Sequence, residues 1–119
     1  MYRIPKDLDL SEIIGKSTTQ IRVGQYDVQF TFGEVDFLVE SKACIYCKGE
    51  LIGEWSGGNW PSSGFYKIMN VDVVRYEIPN DRTIVIHLDG GIEIHLFDDS
   101  DQFECLQISI PGQLGPWII

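Results

Sequence analysis

Four carboxylates lie close together near the end of the chain, at Asp98, Asp99, Asp101 and Glu104. Carboxylates at this density can bind calcium, transfer protons, or give a surface negative charge. A calcium loop of the EF-hand type needs a central glycine and a distal glutamate over about twelve residues, and this stretch has no glycine. Acid–base cleavage of sugars would need a cleft, which nothing else in the sequence describes. We therefore expect a turn stabilised by aspartate and serine side chains, with the remaining carboxylates exposed as a negative surface.

Two histidines and a glutamate, His87, Glu93 and His95, form a second candidate site. A three-residue turn at 89–91 would place His87 opposite Glu93 on an outward strand face, with His95 diagonal to His87. Two imidazoles and a carboxylate can bind a divalent metal or act in acid–base catalysis. A cross-strand His–Glu pair is also an ordinary feature of a solvated sheet face. This face therefore supports only the alternative function, a small metal-dependent enzyme or ligand-binding domain.

Cys44 and Cys47 have the Cys-x-x-Cys spacing that redox and zinc sites use. A redox pair places its first thiolate at a helix N-terminus, which lowers the thiol pKa, whereas this pair lies in a strand pattern. Side chains three apart on a strand point to opposite faces, so we expect core or half-buried cysteines instead. With Cys105 the chain has three cysteines, an odd number that argues against a disulfide framework and favours a reduced, cytoplasmic protein.

Trp55 and Trp60 lie in a stretch rich in glycine and serine, 51–70, which predicts a loop. Tryptophan is enriched at binding anchors, and binding residues favour loops on a rigid scaffold. Alternatively, one or both tryptophans fold back to cap an open end of the sheet. Pro61 favours this second arrangement for Trp60, because it restricts the neighbouring backbone to a turn.

Alternation of apolar and polar residues identifies the elements that must position these groups. Residues 20–41 predict a three-stranded meander with two-residue turns at 24–25 and 33–34. In this register Val23 faces Tyr26. Apolar pairs then share one face and polar pairs the other, as a half-buried antiparallel sheet requires. The outward residues include Asp36.

A second meander is predicted over residues 71–97. The turn at 89–91 would pair Leu88 with Ile92 and give Gly91 a left-handed conformation. The turn before it is open to two interpretations. An odd loop would align Tyr76 with Ile84 and Val74 with Ile86, whereas an even loop would bury Val71 and Val73.

The remaining segments add little helix. Short helical turns are expected near Ser11 and over 65–70, a strand over 103–110, and a last apolar piece at 116–119. The chain is therefore predicted to be a single mainly β domain over 1–119, an antiparallel sandwich or curled sheet built from two meanders.

Eighteen acidic and nine basic residues give the chain a net charge of −9. This charge disfavours nucleic acid and anionic membranes, and it favours a basic protein partner, although acidic soluble proteins are also common. No apolar run approaches the ~20 residues of a transmembrane helix. Residues 1–15 lack the pattern of a signal peptide, so we expect a cytoplasmic location.

The stretches "VIHLDGGIEIHL" (85–96), "LFDDSDQFECLQISIPGQ" (96–113) and "VGQYDVQFTFGEVDFLVES" (23–41) cover much of the chain. Together they resemble a bacterial family of small uncharacterised β-rich proteins. This chain has Phe103 where that pattern commonly has Tyr, and Cys105 where it commonly has Ser. The resemblance implies no known activity. Some small proteins of this kind are similar to immunity proteins, which neutralise a toxin from the same locus.

These observations predict a non-enzymatic protein of the immunity type that binds and neutralises a basic toxin domain, such as a nuclease. We expect no cofactor and no catalytic residues, and either a monomer or a weak homodimer joined through an exposed strand edge. The predicted partner-binding residues are Asp98, Asp99, Asp101, Glu104, Trp55, Trp60, Asp36 and Glu93.

Overall fold

The computed structural model describes residues 3–119, which form ten β-strands and two short 3₁₀ helices. The strands are β1 (Thr18–Val23), β2 (Val28–Phe32), β3 (Val35–Val39), β4 (Ala43–Cys47), β5 (Glu50–Trp55), β6 (Val73–Asn80), β7 (Thr83–Leu88), β8 (Ile92–Phe97), β9 (Leu106–Ser109) and β10 (Trp117–Ile118). The 3₁₀ helices span Ser11–Ile13 and Ser63–Ile68. No helix within 3–119 is long and apolar enough to cross a membrane.

The strands form two antiparallel five-stranded sheets that do not close into a barrel, which confirms the predicted mainly β fold. The first sheet has the order β1-β2-β3-β9-β10 and the second has the order β5-β4-β8-β7-β6. Each predicted meander therefore forms most of one sheet. The hairpin that follows each meander in the chain joins the opposite sheet, so the two halves interlock.

The first meander has the predicted faces but a different first hairpin. Val23 pairs with Val28 and not with Tyr26, because the connection 24–27 has four residues and not two. The Gly24 amide donates to the Asp27 carbonyl at 2.8 Å and closes this longer loop. A slide of two residues leaves every side chain on its predicted face, so the apolar pattern alone could not detect it. The second turn, with Phe32 opposite Val35, is confirmed.

The second meander follows the prediction at 89–91, where Leu88 pairs with Ile92 and Gly91 has a positive φ of 81°. The turn before it has an even length, with Asn80 opposite Thr83. Val73 is buried, as the even loop predicts, and Val71 is partly buried. Register shifts on both sides of 75–77 also turn Tyr76 toward the core, opposite Ile86 and not Ile84, so neither alternative describes the whole strand.

Strand β5 occupies residues that were predicted to be loop. Gly53 belongs to the glycine-rich composition that predicts a loop over 51–70. In the structure this glycine allows the second 3₁₀ helix to pack closely against the strand. A Cβ atom on Gly53 would lie 2.5 Å from the Cα of Phe65. Glycine inside a strand often marks such a close approach.

The two outer strands of the second sheet are covered by other parts of the chain. The N-terminal segment follows β6: the Ile4 amide donates to the Asp81 carbonyl at 2.9 Å, and the Gly15 amide donates to the Val73 carbonyl at 2.8 Å. The second 3₁₀ helix covers β5, where the Ser62 hydroxyl donates to the Ile52 carbonyl at 3.2 Å. Covered edges resist pairing with other chains. The predicted weak homodimer stays a prediction.

One end of the sandwich collects the long connections. Ala43 pairs with both Trp55 and Leu96, so β5 and β8 finish beside the start of β4. In the first sheet, Val39 pairs with both Val28 and Leu106, and residues 40–42 join it directly to Ala43. The connections at this end are 24–27, 40–42, 56–62, 81–82 and 98–105, and we call this region the loop end.

The opposite end carries three tight turns and one longer connection. Cys47 pairs with both Glu50 and Ile92, so the turns 48–49 and 89–91 are neighbours in the second sheet. In the first sheet the turn 33–34 lies at this end, together with the connection 110–116 that follows β9. We call these four connections the turn end.

Candidate functional site

The acidic turn at the loop end divides into a structural half and an exposed half. The Asp98 side chain is fully buried and lies 3.6 Å from Nη1 of Arg3. The Asp98 amide donates to the Arg82 carbonyl at 2.8 Å. The prediction that Asp98 belongs to the partner-binding surface is therefore wrong, because its carboxylate is enclosed by the protein.

Asp101 is exposed, but its charge is balanced within the chain. Its Oδ1 accepts a hydrogen bond from Nη2 of Arg3 at 2.6 Å and another from Nη2 of Arg82. The hydrogen bonds from Arg82 and Arg3 hold the pKa of Asp101 below its ordinary value near 3.8. Asp101 therefore ties the acidic turn to the N-terminal segment and to the β6–β7 turn.

Asp99 and Glu104 are exposed and form no ion pair with any of residues 3–119. Asp99 Oδ1 lies 3.7 Å from the Cys105 Sγ atom. Between them, the Ser100 hydroxyl oxygen accepts hydrogen bonds from the amides of Gln102 and Phe103. This bonding confirms the predicted serine turn chemistry, and it leaves Asp99 and Glu104 as the carboxylates presented to solvent.

The two tryptophans have different environments, and only Trp60 is exposed as the predicted partner-binding role requires. Trp55 is the last residue of β5 and is fully buried, so the prediction that it is a surface anchor is wrong. Its side chain points inward with the core because β5 is a paired strand and not a loop. Trp60 is 80% exposed, so the expectation that Pro61 folds it onto the sheet is also wrong.

The Trp60 loop is joined to the β1–β2 loop. The Gly58 amide donates to the Gln25 carbonyl at 3.0 Å, and the Asn59 amide donates to the Ser56 carbonyl at 3.2 Å. A cavity of about 310 Å³ lies between the two loops. It is lined by Val23, Gly24, Gln25, Gly58, Asn59 and Trp60.

Two further aromatic side chains are exposed at the loop end. Tyr26 in the β1–β2 loop is 74% exposed, and Phe103 in the acidic turn is 71% exposed. Neither was predicted as a binding residue. The sequence pattern places Tyr26 in a strand opposite Val23 and Phe103 at the start of the strand over 103–110, whereas both lie in connections in the structure, so strand alternation gave no signal that they are exposed.

Asp36 and Glu93 do not join this group. Asp36 lies on the outer face of the first sheet, where it accepts a hydrogen bond from Thr31 Oγ1 at 2.6 Å and pairs with Arg22 at 3.5 Å. Glu93 lies on the outer face of the second sheet. The predicted partner-binding residues therefore do not form one continuous surface.

The His87–Glu93–His95 face has the predicted cross-strand register, with His87 opposite Glu93. Glu93 lies between the two imidazoles: its Oε1 is 2.8 Å from His95 Nε2, and its Oε2 is 3.9 Å from His87 Nδ1. The closer partner of His87 is Glu77, whose Oε1 lies 2.8 Å from His87 Nε2. The hydrogen bond with His87 holds the pKa of Glu77 below its ordinary value. Across the described residues, no group of three or more His, Cys, Asp or Glu side chains is arranged to bind a metal ion.

The cysteines are core or half-buried, as predicted. Cys44 and Cys105 are buried and Cys47 is half-buried. Burial raises the pKa of the Cys44 thiol and of the Cys105 thiol, which disfavours a reactive thiolate at neutral pH.

No family model, curated protein or solved structure matches this chain. The resemblance to the bacterial family of small β-rich proteins therefore stays a prediction. The function has to be argued from the loop end itself.

Proposed function

We propose that this chain is a non-enzymatic binding protein of the immunity type, which recognises a basic toxin domain, such as a nuclease, through its loop end. One observation carries the proposal. The exposed aromatics Tyr26, Trp60 and Phe103 share this end with the solvent-facing carboxylates Asp99 and Glu104.

The aromatic residues supply the affinity. Trp and Tyr are enriched among the few interface residues that provide most of the binding energy. An exposed indole or phenol also loses little conformational entropy on binding, because it has only two side-chain torsions. The loops that carry Tyr26 and Trp60 are joined by the Gly58–Gln25 backbone hydrogen bond, which fixes the two loop backbones relative to each other.

The carboxylates supply charge complementarity. A nuclease binds phosphates with Lys and Arg side chains, and an acidic protein can cover those side chains in place of the substrate. The net charge of −9 would attract such a basic domain over a distance, and the exposed Asp99 and Glu104 would meet it on contact.

The proposal is tested by affinity capture from the native cell lysate with matched variants. The wild-type chain should retain one predominant basic protein. Trp60→Ala should lose it, and the double variant Asp99→Asn/Glu104→Gln should retain less of it as salt is raised. The turn-end variants Leu114→Ala and Glu34→Gln/Asp89→Asn serve as controls and should retain it fully, since they change the same kinds of residue at the opposite end.

Toxicity provides the second half of the test. Expression of the captured protein alone should arrest growth, and co-expression of the wild-type chain should restore growth while Trp60→Ala does not. A partner that is not toxic would contradict the immunity role. A partner that Trp60→Ala retains would contradict the assignment of the loop end.

A further inference from the structure

The cavity beside Trp60 combines an aromatic face with polar groups. Gly24 and Gly58 contribute no side chains to its wall, so backbone atoms line part of it directly. Gln25 and Asn59, which carry amide side chains, line it together with Val23 and the exposed Trp60. Asn59 donates through Nδ2 to the Ser56 hydroxyl at 3.5 Å, which leaves its Oδ1 as a hydrogen-bond acceptor.

The Asp27 carboxylate packs against Gly24, one of the residues that line the cavity, without lining the cavity itself. A Cβ atom on Gly24 would lie only 2.5 Å from Asp27 Oδ1, so the carboxylate packs against this glycine. Asp27 Oδ2 accepts a hydrogen bond from Gln29 Nε2 at 3.1 Å. Within residues 3–119 Asp27 has no Lys or Arg partner, so a negative charge beside the cavity is not balanced by the chain.

The size of the cavity limits what can occupy it. Small-molecule pockets span roughly 300–1,000 Å³, and about 310 Å³ lies at the lower end of that range. One long side chain fits such a volume better than a cofactor does. The surface character of the cavity also suits a side chain that is presented by a partner protein.

We infer that this cavity binds an arginine side chain of the basic partner, with the guanidinium stacked on Trp60, its N–H groups donating to Gln25 and Asn59, and its positive charge attracted by the nearby Asp27 carboxylate. The inference deepens the proposed function and rests on it. A planar guanidinium matches an indole face and a set of oxygen acceptors better than a compact ammonium does. An exposed tryptophan beside amide side chains could also stack on a neutral sugar. The carboxylate of Asp27 favours the cation.

The test uses the full chain labelled with ¹⁵N and three capped tripeptides that differ only in the central residue: arginine, lysine or citrulline. Citrulline is the control because it keeps the shape of arginine without its charge. We expect the arginine peptide to shift the Trp60 indole N–H signal and the backbone amides of 24–27 and 56–62. The lysine peptide should bind several-fold more weakly, and the citrulline peptide should cause no saturable shift.

Variants connect these shifts to the cavity. Trp60→Ala should abolish the shifts at 24–27, and Asp27→Asn should weaken arginine binding several-fold, whereas Leu114→Ala at the turn end should leave binding unchanged. Equal binding of arginine and citrulline peptides would overturn the inference, and so would tighter binding of a neutral trisaccharide such as chitotriose at the same amides.

The two proposals fail in distinguishable ways. If partner capture depends on Trp60 but the arginine peptide causes no shift, the arginine site is wrong and the binding function stands. If the arginine peptide binds in the cavity but the lysate yields no toxic partner, the cavity chemistry is supported and the immunity function is wrong.

Discussion

The two ends of the sandwich differ in how the same strands are connected. At the turn end, β2 joins β3, β4 joins β5 and β7 joins β8 through two or three residues, with glycines in positive φ at Gly33, Gly49 and Gly91. At the loop end the Trp60 loop and the acidic turn are each at least seven residues long before the next element begins. The turn end therefore combines three tight turns with the longer connection 110–116, while the loop end combines the short connections 40–42 and 81–82 with the Trp60 loop and the acidic turn.

Charge does not separate the two ends, but aromatic exposure does. The turn end also has exposed acids, at Glu34, Glu50 and Asp89. At the turn end the exposed large apolar side chain is Leu114. The loop end instead exposes Trp60, which lines the cavity, and Tyr26, which lies in the loop on the other side of it. Exposed acidic residues are therefore found at both ends of the molecule, whereas exposed aromatic residues distinguish the loop end.

The largest expected difference in stability is between alanine variants of the two tryptophans near the loop end. Trp55→Ala should destabilise the protein by about 3–5 kcal/mol, because it leaves a large cavity in the core. Trp60→Ala should change stability by less than about 0.5 kcal/mol, because it removes an exposed side chain. Urea denaturation of both variants gives the comparison. Similar losses would mean that Trp60 supports the fold and is not available to a partner.

A smaller loss of stability is expected from a change at the contact between β5 and the second 3₁₀ helix, which follows the Trp60 loop in the chain. Gly53→Ala should destabilise the protein by about 1–3 kcal/mol, because the added methyl group meets the Phe65 backbone. Gly115→Ala at the turn end is the matched control, since a Cβ there has no neighbour within 4 Å. Equal stabilities of the two variants in urea would contradict the close approach.

Association kinetics should distinguish the exposed carboxylates of the two ends. Asp99→Asn/Glu104→Gln should slow association with the captured partner several-fold and reduce its salt dependence, because rim charges act mainly on the on-rate. The dissociation rate should change little. Surface plasmon resonance at two salt concentrations measures both rates. An equal slowing by Glu34→Gln/Asp89→Asn would show that only the net charge matters.

The smallest effect concerns the structural half of the acidic turn. The pKa of Asp101 is lowered in the folded protein. Its interactions with Arg3 and Arg82 therefore stabilise the fold above the ordinary value near 3.8, and this stabilisation is lost as pH falls through the lower folded value. Asp101→Asn should flatten the decrease in stability over that acidic range, as followed by urea denaturation. Asp99→Asn, which removes a carboxylate without an ion pair, should keep the wild-type slope.

The sheets were predicted well because strand alternation and turn residues are visible within short stretches of sequence. Strand alternation and the glycine turn at 89–91 identified both meanders and placed His87 opposite Glu93. The slide that moved Val23 from Tyr26 to Val28 preserves every face, so alternation could not detect it.

The candidate site was predicted less well because its burial depends on distant contacts. Asp98 is buried against Arg3, which lies at the other end of the sequence. Trp55 is buried because β5 pairs with β4 and receives the second 3₁₀ helix at Gly53. Neither contact leaves a periodic signal, so an acidic residue and a tryptophan in a glycine-rich stretch were both assigned to the surface.

The most direct measurement of the central claim is hydrogen–deuterium exchange on the captured complex, compared with the free chain. We predict slower exchange in 24–27, 56–62 and 98–105, with unchanged exchange in 33–34, 48–49 and 89–91. Protection of the tight turns, or of the β6–β7–β8 outer face around His87, with no change at the loop end, would contradict the account.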